Sequence, residues 1–314
     1  MSILILSTSN NAHANAVEKT LRDMNEITDR INMDRAFEDT AISFYDCKTT
    51  GNLKIKLNGR QISDISGVFF HQANVSIPDN FVVDEIDSTL CCASWNGIFP
   101  WLETCLSIAT WVNRPSISRV ASSNSSQLAL AKRLGFMVPK TIFTNDLNLV
   151  FLLAEQGKVI LKTGTLHGLN LDGKSILTQV IDPNKLVSSD LKTAPCLFQQ
   201  YIEKAYELRV YVVGDKVLSF RIESQANETT KTDWRKYNLK QTPHYAHNLS
   251  KNIEEKCLIL VKNLGLEFGA IDLIVTPQDE TVFLECNTQG HWLWIEELTG
   301  LPITKAVCSL LAKR

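Results

Sequence analysis

The stretch GAIDLIVTPQDETVFLECN, residues 269–287, decides the fold class of the C-terminal half of the chain. Two apolar runs flank a polar centre at 278–279, which predicts a β-hairpin with its turn at that centre. Such a turn pairs Asp272 with Glu285, and Asn287 points to the same face because strand side chains alternate. Two carboxylates and an amide offer the oxygen ligands that suit Mg²⁺. The sequence predicts a metal site here, and the apolar flanks disfavour the alternative, a solvated face with unrelated acids.

Outside this hairpin, the second half of the chain is rich in strand patterns. The predicted strands cover 158–163, 175–181, 196–202, 207–213, 216–223, 270–276 and 281–286, and the predicted helices cover about 146–156, 250–264 and 293–312. Strands and helices do not alternate strictly, and Val213–Lys216 is typical of a hairpin turn. We therefore predict an α+β fold. The segment 224–248 has no periodicity and predicts a long functional loop.

The N-terminal third has a different pattern. An apolar run at Ile3–Leu6 precedes helical spacing over 14–24, which predicts a strand and a helix that open an α/β unit. Further apolar runs lie at 41–45 and 67–70, and residues 89–112 predict one or two core helices. That segment ends at Arg114-Pro115, and a helix is predicted at about 125–134, so we place the first domain boundary near 116.

Composition excludes several classes of function. The 314 residues favour two or three compact units, and 32 basic against 34 acidic residues give no electrostatic reason to expect nucleic acid or a membrane surface as partner. Eight scattered cysteines without a C-x-x-C pair predict reduced thiols rather than zinc or disulfides. His244 and His247 lack a third ligand nearby and are expected to be ordinary loop histidines. With no signal-peptide pattern and no membrane-length apolar run, we expect a cytoplasmic protein.

One motif gives a misleading signal. Residues Gly168–Ser175 fit the P-loop pattern G-x-x-x-x-G-K-[ST], but a P-loop must open a helix, and Ser175 is followed by a strand pattern. Asp172-Gly173 is instead typical of a hairpin turn. We therefore interpret 163–174 as a glycine-containing loop between antiparallel strands, whose amides could still cover phosphates. A P-loop nucleotide-binding switch remains the remote alternative.

Charged residues elsewhere also suggest a nucleotide. Lys162 ends an apolar strand, where its ammonium could meet a phosphate or could simply be a surface lysine. Glu207, Arg209 and Tyr211 share one strand face. They could serve a ribose, a phosphate and a stacking surface, or they could form cross-strand ion pairs.

Taken in order, residues 113–314 resemble the ATP-grasp superfamily. The matching pieces are Asn113-Arg114-Pro115, Gln127-Leu128 through Gly135 and Pro139, Lys162, Gln199-Gln200-Tyr201-Ile202, Glu207-Leu208-Arg209, Asp233-Trp234-Arg235, and Asp272 with Glu285-Cys286-Asn287. Within the superfamily the chain is similar to the ribosomal-protein glutamate ligases, and it looks closer to the maturases that make microviridin-type graspetides. Asp233-Trp234-Arg235 after Arg221–Gln225, together with 292–300, carries that closer resemblance.

The resemblance implies a three-part molecule. It has a pre-ATP-grasp α/β domain (1–115), a central subdomain (116–195) and a C-terminal subdomain (196–314), with ATP between the last two. By resemblance, Lys162 binds the α- and β-phosphates, the hinge Gln199, Gln200, Tyr201 and Ile202 receives adenine, Glu207 holds the ribose, and Asp272, Glu285 and Asn287 carry two Mg²⁺. The family's second nucleotide lysine is replaced by 124–126, so that nucleotide affinity is weaker or Lys132 or another base substitutes.

The implied reaction joins a carboxylate to a nucleophile through an acyl phosphate made from ATP. For a graspetide maturase the carboxylates are Asp or Glu side chains of a precursor peptide with a leader and a core, and Ser, Thr or Lys attack them to give ω-ester or ω-amide rings. Arg209 and Arg235 would orient the acceptor carboxylate or the γ-phosphate, Asp233 is the candidate base, and Arg221 is a further catalytic candidate. The alternative in the same superfamily is a ligase that adds amino acids to a protein or small acceptor. A homodimer is compatible with the sequence.

Overall fold

A computed structural model describes residues 1–46, 53–62, 64–73, 75, 84–162, 170–171, 174–175, 178–226 and 242–313. Within these ranges the chain forms five β-sheets. The α+β class with an α/β N-terminal unit is confirmed. No helix in the described part of the chain is long and apolar enough to cross a membrane.

The N-terminal third is built on a parallel sheet. Its elements are β1 (Ser2–Ser7), α1 (Ala12–Asp23), β2 (Ile27–Asn32), α2 (Ala36–Asp39), β3 (Ile42–Asp46), β4 (Leu53–Leu57), β5 (Arg60–Ile62), β6 (Ile65–Phe70), α3 (Glu85–Asn96), α4 (Ile98–Cys105) and β7 (Thr110–Val112). The parallel sheet has the order β2-β1-β6-β7, and β3-β4-β5 form a separate antiparallel sheet. The apolar run at the start of the chain is buried in β1, as its sequence predicts.

The segment 89–112 differs from its prediction. Helix α4 does bury Ile98, Phe99 and Leu102 in the core. Most of the described side chains of α3 are instead exposed, and the segment ends in strand β7, where Trp111 is buried and its indole donates to Leu106 O at 3.0 Å. The apolar composition of this stretch therefore comes from three different elements rather than from one or two core helices.

The middle of the chain forms a second, antiparallel sheet. Its elements are α5 (Pro115–Ala121), α6 (Asn124–Arg133), β8 (Thr141–Thr144), α7 (Leu147–Ala154), β9 (Val159–Lys162), β10 (Asn170–Leu171), β11 (Lys174–Ser175), β12 (Gln179–Ile181), α8 (Ser188–Thr193) and β13 (Cys196–Gln200). The antiparallel sheet has the strand order β12-β9-β13-β8, and β10 and β11 pair separately. Strand β13 thus belongs to this sheet. Its position favours a boundary in the connection after Gln200 rather than at 195/196. The domain limits themselves stay predictions.

The P-loop alternative is wrong. Strands β10 and β11 pair antiparallel, with Asn170 opposite Ser175 and Leu171 opposite Lys174. The last residue of the motif therefore lies in a strand, whereas a P-loop needs a helix N-terminus at that point to receive a phosphate.

The C-terminal part is a five-stranded antiparallel sheet with helices on both faces. Its elements are β14 (Tyr206–Val213), β15 (Lys216–Ile222), β16 (His244–Ala246), α9 (Lys251–Asn263), β17 (Phe268–Val275), β18 (Thr281–Asn287), α10 (Leu293–Thr299) and α11 (Ile303–Leu311), in the sheet order β16-β15-β14-β17-β18. One face packs on α9, and the other packs on α10, α11 and the N-terminal α1. A continuous core thus joins the first and last thirds of the chain.

Two predictions in this part need correction. The helix predicted at 293–312 is two helices, because Gly300 adopts a left-handed φ of 70° at the end of α10 and Pro302 precedes α11. The segment 224–248, predicted as a loop, contains a 3₁₀ turn at Ser224–Ala226 and strand β16, while 227–241 lie outside the described residues.

Candidate active site

The register of the β17–β18 hairpin places both acidic side chains on one face. Asp272 pairs with Glu285, and Asn287 follows opposite Ala270, so the predicted cross-strand pairing is confirmed. Nearer the turn the register shifts by one residue, because Leu273 pairs with Phe283 and one residue of β18 is left over as a β-bulge. Side chains alternate along a strand, so without this bulge Glu285 would point to the opposite face.

The centre of the turn differs slightly from its prediction. Thr276 N donates to Glu280 O at 2.9 Å, which closes a three-residue loop with Asp279 at a left-handed φ of 64°. The turn is therefore centred on Gln278, half a residue before the predicted centre between Gln278 and Asp279. The bulge compensates for this difference, which is why the predicted partner of Asp272 is nevertheless correct.

Two cations flank the paired carboxylates. Arg209, opposite Asp272 on β14, places its Nη1 2.6 Å from both oxygens of Asp272. Lys162 reaches across from the central sheet, with its Nζ 3.7 Å from Glu285 Oε2. Arg209 is therefore a cross-strand ion pair, as one of the two interpretations predicted. The contact of Lys162 spans the cleft between the central and C-terminal sheets.

The donor set fits a hard divalent cation. Two carboxylates that face each other repel unless positive charge lies between them, and carboxylate and amide oxygens are ligands that Mg²⁺ accepts. Asn287 Nδ2 lies 3.2 Å from Asp272 Oδ2, and rotation of this amide would present its oxygen instead. The metal-binding role of these three residues stays a prediction.

A buried glutamine fixes the strand that carries two of these groups. Gln127 Nε2 donates to Cys286 O at 2.8 Å and its Oε1 accepts from Cys286 N at 2.8 Å, between Glu285 and Asn287 in sequence. The side chain is 2% exposed. Gln127, from the Gln-Leu pair noted in the sequence, thus fixes the position of β18.

One predicted nucleotide residue of the central sheet, Gln199, shares the face that carries Lys162. Gln199 lies opposite Ile160, two residues before Lys162, and is 1% exposed. Its Nε2 donates to Thr141 Oγ1 at 2.9 Å, whereas its buried Oε1 has no hydrogen-bond partner among the described residues. An acceptor of this kind suits the exocyclic amine of adenine.

The rest of the predicted hinge follows the same strand. The backbone amides of Gln200 and Tyr201 donate to Lys140 O at 2.9 Å and Lys158 O at 2.7 Å, and Ile202 is half-buried. These bonds hold the segment between the central and C-terminal sheets in one conformation. Its contact with adenine stays a prediction.

Glu207 lies in a buried ion pair rather than at an open surface. Its Oε1 is 2.7 Å from Lys204 Nζ, and both side chains are less than a tenth exposed. Burial raises the pKa of Glu207 above its usual range, and the charge of Lys204 opposes that rise. Tyr211, on the same strand face, donates its hydroxyl to His291 O at 2.5 Å. The ribose-binding role of Glu207 stays a prediction.

The structure does not bring Arg221 to this site. Arg221 pairs with Leu208, whose side chain faces α9, and therefore lies on the opposite face of the sheet from Asp272. Its guanidinium carbon is 3.6 Å from the centre of the Tyr206 ring, and its Nε is 2.5 Å from Glu223 Oε1. The register therefore places Arg221 away from the acidic site, and its catalytic role stays a prediction.

The two remaining catalytic candidates, Asp233 and Arg235, lie outside the described residues. Lys132 is one of the alternatives that the sequence offers for the missing second nucleotide lysine near Asn124. It lies in the last turn of α6, eight residues beyond Asn124, which is about 12 Å along a helix. Lys132 therefore does not occupy the position of the missing lysine.

A cavity of about 530 Å³ adjoins the carboxylates. It is lined by Phe70, Pro115, Ser118, Arg119, Ser122, Arg209, Cys286, Asn287, Thr288, Gln289, Gly290, His291 and Trp294. The sequence did not indicate Arg119, Gln289 or His291, because Arg119 has the pattern of a surface helix residue and the other two lie in a short connection. The position of Arg119 soon after the Arg114-Pro115 helix start was the signal that could have indicated a functional residue.

Three histidines also meet beside this cavity. The nitrogen atoms of His13, His71 and His291 lie within 4.8 Å of one another. Burial lowers the pKa of His13 to about 4 and that of His71 to about 3, with the neighbouring histidines adding to the effect. The cluster is thus neutral at neutral pH.

Hydrogen bonding opposes a metal in this cluster. Asn11 Oδ1 accepts from Ala14 N at the start of α1, so its Nδ2 must donate to His71 Nδ1 at 3.1 Å. The single ring proton of neutral His71 then sits on Nε2. A metal bound at Nε2 would move this proton to Nδ1, where the N–H group would face the N–H group of Asn11. We therefore assign the histidines a packing role.

Comparison with known proteins supports the fold. No protein-family model and no curated protein sequence matches the chain. Among solved structures it is similar to a RiPP-associated ATP-grasp ligase of Chryseobacterium gregarium in complex with ADP and a leader and core peptide, with a TM-score of 0.88, 29% identity, and coverage of 99% of this chain and 96% of that one.

Two further structures are similar at lower identity. The macrocyclase MdnC of Microcystis aeruginosa MRC, bound to its precursor peptide MdnA, has a TM-score of 0.83 and 24% identity, with both chains covered completely. The ATP-grasp ligase PsnB, complexed with a variant minimal precursor, Mg and ADP, has a TM-score of 0.78 and 20% identity over 99% of this chain and 97% of that one. The expected ATP-grasp architecture is therefore confirmed, and the structures that this chain resembles over nearly its whole length are ATP-grasp ligases and a macrocyclase that act with precursor peptides.

Proposed function

We propose that this ligase uses ATP and Mg²⁺ to phosphorylate Asp or Glu side chains of a precursor peptide and then closes ω-ester or ω-amide rings with its Ser, Thr or Lys side chains. One observation carries the proposal: the Asp272–Glu285 pair lies in an ATP-grasp cleft directly opposite Lys162. The similar C. gregarium ligase was crystallised with ADP and with both a leader and a core peptide.

The residues divide into nucleotide and metal contacts. Lys162 would hold the α- and β-phosphates, Gln199 with the hinge up to Ile202 would receive adenine, and Glu207 would contact the ribose. Asp272, Glu285 and Asn287 would hold Mg²⁺, which supplies neutralisation of charge on the phosphates. Lys162 now contacts Glu285, so it would exchange that carboxylate for phosphate when ATP binds.

The chemistry then needs orientation and charge control. An acceptor carboxylate oxygen attacks the γ-phosphorus, ADP leaves, and the resulting acyl phosphate is attacked by a hydroxyl or amine with loss of phosphate. Arg209, held rigidly by Asp272, would orient the acceptor carboxylate or the γ-phosphate. Asp233 remains our candidate base for hydroxyl nucleophiles, and Arg235 a second orienting cation.

The test is a reaction of the purified enzyme with ATP, Mg²⁺ and a synthetic peptide encoded beside its gene, with a leader and a Thr/Ser- and Glu/Asp-rich core. Mass spectrometry should show the loss of one water per ring, with one ADP formed for each. Glu285→Gln should abolish both signals, and Glu280→Gln, an exposed acid in the turn of the same hairpin, should leave them unchanged. A mass gain equal to an added amino acid would instead identify the alternative, a ligase that extends its acceptor.

We also propose that the enzyme acts in the cytoplasm. The reaction needs ATP, and all seven cysteines in the described residues are free thiols, as expected for a reducing compartment. Fractionation of expressing cells checks this assignment, since recovery in a periplasmic or culture-medium fraction would contradict it.

A further inference from the structure

The cavity beside Asn287 has an unusual charge. Its lining residues in the described part of the chain include two arginines and no Asp or Glu. Arg209 is already paired with Asp272. Arg119 is exposed, and no ion pair joins it to any described acid, so its charge is available to a ligand.

A second polar group in the wall has no partner. Ser118 is 4% exposed, and its buried Oγ makes no hydrogen bond with any described residue. Buried hydroxyls are normally hydrogen-bonded, so the orphan hydroxyl of Ser118 indicates a missing partner in the cavity wall that also carries the Arg119 guanidinium. Ser118 and Arg119 are adjacent on α5, and both line the cavity.

The cavity opens directly on the proposed reaction centre. Asn287 and Arg209 are among its lining residues, and each lies within hydrogen-bond distance of Asp272. A group seated in the cavity would therefore lie next to the metal-bound end of ATP. Its volume of about 530 Å³ is in the roughly 300–1,000 Å³ range of ligand sites.

One wall is apolar and rigid. Trp294 lines the cavity, and its ring packs edge-on against Phe220 and His244 at centroid distances of 5.6 and 5.3 Å. A fixed aromatic face beside an arginine suits a short aliphatic stem that ends in an anion. Asp and Glu side chains have this form.

We propose that this cavity binds the acceptor carboxylate side chain and that Arg119, with Ser118, selects a carboxylate over its amide. This inference rests on the proposed function. The reacting side chain of the substrate would then contact α5 and the connection between β18 and α10. Arg209, which also lines the cavity, then provides its second positive charge.

The kinetic test separates substrate binding from nucleotide binding. Arg119→Gln should raise KM for the precursor peptide about 10- to 100-fold, because one charged hydrogen bond is lost, while kcat changes less and ADP–Mg²⁺ affinity stays the same. Arg119→Lys should restore part of the affinity. Arg133→Gln, an exposed arginine on α6 outside the cavity, is the matched control. An unchanged KM in Arg119→Gln would overturn the proposal.

A binding test needs no turnover. With 5-fluorotryptophan at the six tryptophans, N-acetyl-glutamate methylamide should shift the ¹⁹F signal of Trp294, assigned with Trp294→Phe, and N-acetyl-glutamine methylamide should not. Arg119→Gln should remove the shift. Equal shifts with both compounds, or a shift that survives Arg119→Gln, would refute the assignment. A carboxylate-specific shift in an enzyme that removes no water from any peptide would instead refute the proposed function alone.

Discussion

Replacement of Glu285 by Gln should leave the stability of the ligand-free protein almost unchanged but remove its response to magnesium and nucleotide. The substitution keeps the size of the side chain and deletes one charge. Among the described residues, that charge takes part in two opposing charge interactions that can be weighed against each other, with Asp272 across the hairpin and with Lys162 across the cleft.

The two interactions are of similar size. Carboxylates at a cross-strand separation of about 5 Å repel by about 3 kcal/mol at an effective dielectric constant of 20. The Lys162–Glu285 attraction at 3.7 Å amounts to about 4 kcal/mol on the same basis. Solvent screens both, since the two side chains are 15% exposed. Their difference predicts a change in the free energy of unfolding of about 1 kcal/mol or less.

The effect of the substitution should become large when Mg²⁺ and nucleotide bind. A ligand that binds only the folded state at 100 times its Kd stabilises it by about 2.7 kcal/mol, which thermal unfolding resolves easily. We expect ADP with Mg²⁺ to raise the Tm of the wild type and of Glu280→Gln, and to leave the Tm of Glu285→Gln unchanged. ADP formation from ATP with precursor peptide should disappear in parallel. A Glu285→Gln protein that is stabilised by ADP–Mg²⁺ like the wild type would show that Glu285 is not a metal ligand.

Three further predictions follow from packing and burial. Gly290→Ala should destabilise the fold and displace Arg209, because a Cβ there would overlap Ala270 Cβ and lie 3.0 Å from Arg209 Nη2; Ala270→Gly in the same chain should restore most of the lost Tm. Asn113→Ala should lower the free energy of unfolding by about 3–5 kcal/mol in denaturant titrations, because its buried amide bonds four backbone groups of the C-terminal part. Unfolding free energy should also fall by about 2 kcal/mol per buried histidine from pH 7.5 to 5, and His71→Asn should reduce that fall.

The direction of the pH effect follows from the lowered pKa values. In the unfolded chain His13 and His71 take up protons near pH 6.5, whereas burial keeps both neutral in the folded protein down to about pH 4 and about pH 3. Their contribution to stability is therefore complete above pH 6.5 and is lost as the pH falls. His247→Asn is the control, since that side chain is only half-buried and lies outside the cluster. A pH profile identical in His71→Asn and wild type would contradict the argument.

Local patterns in the sequence identified the elements that carry the chemistry. The strand containing Lys162 and the hairpin of Asp272 and Glu285 were predicted because alternation and apolar runs are properties of neighbouring residues. The face of Arg221 was not predicted, because it depends on which residue of β14 lies opposite, here Leu208. The cavity was missed for a similar reason: its walls come from α5, β18 and the N-terminal β6, and no local pattern brings these together.

The β-bulge in β18 shows why the acidic site needs tertiary information. The three-residue turn alone would set Glu285 opposite Ile271, with its carboxylate toward the apolar core under α9. The extra residue in β18 returns it to the face of Asp272. Gln127 bonds both backbone groups of Cys286 just beyond the bulge, and so holds β18 in the shifted register from outside the hairpin. The position of the proposed metal ligand is therefore set by a helix more than 150 residues earlier in the chain, through two hydrogen bonds to one buried side chain.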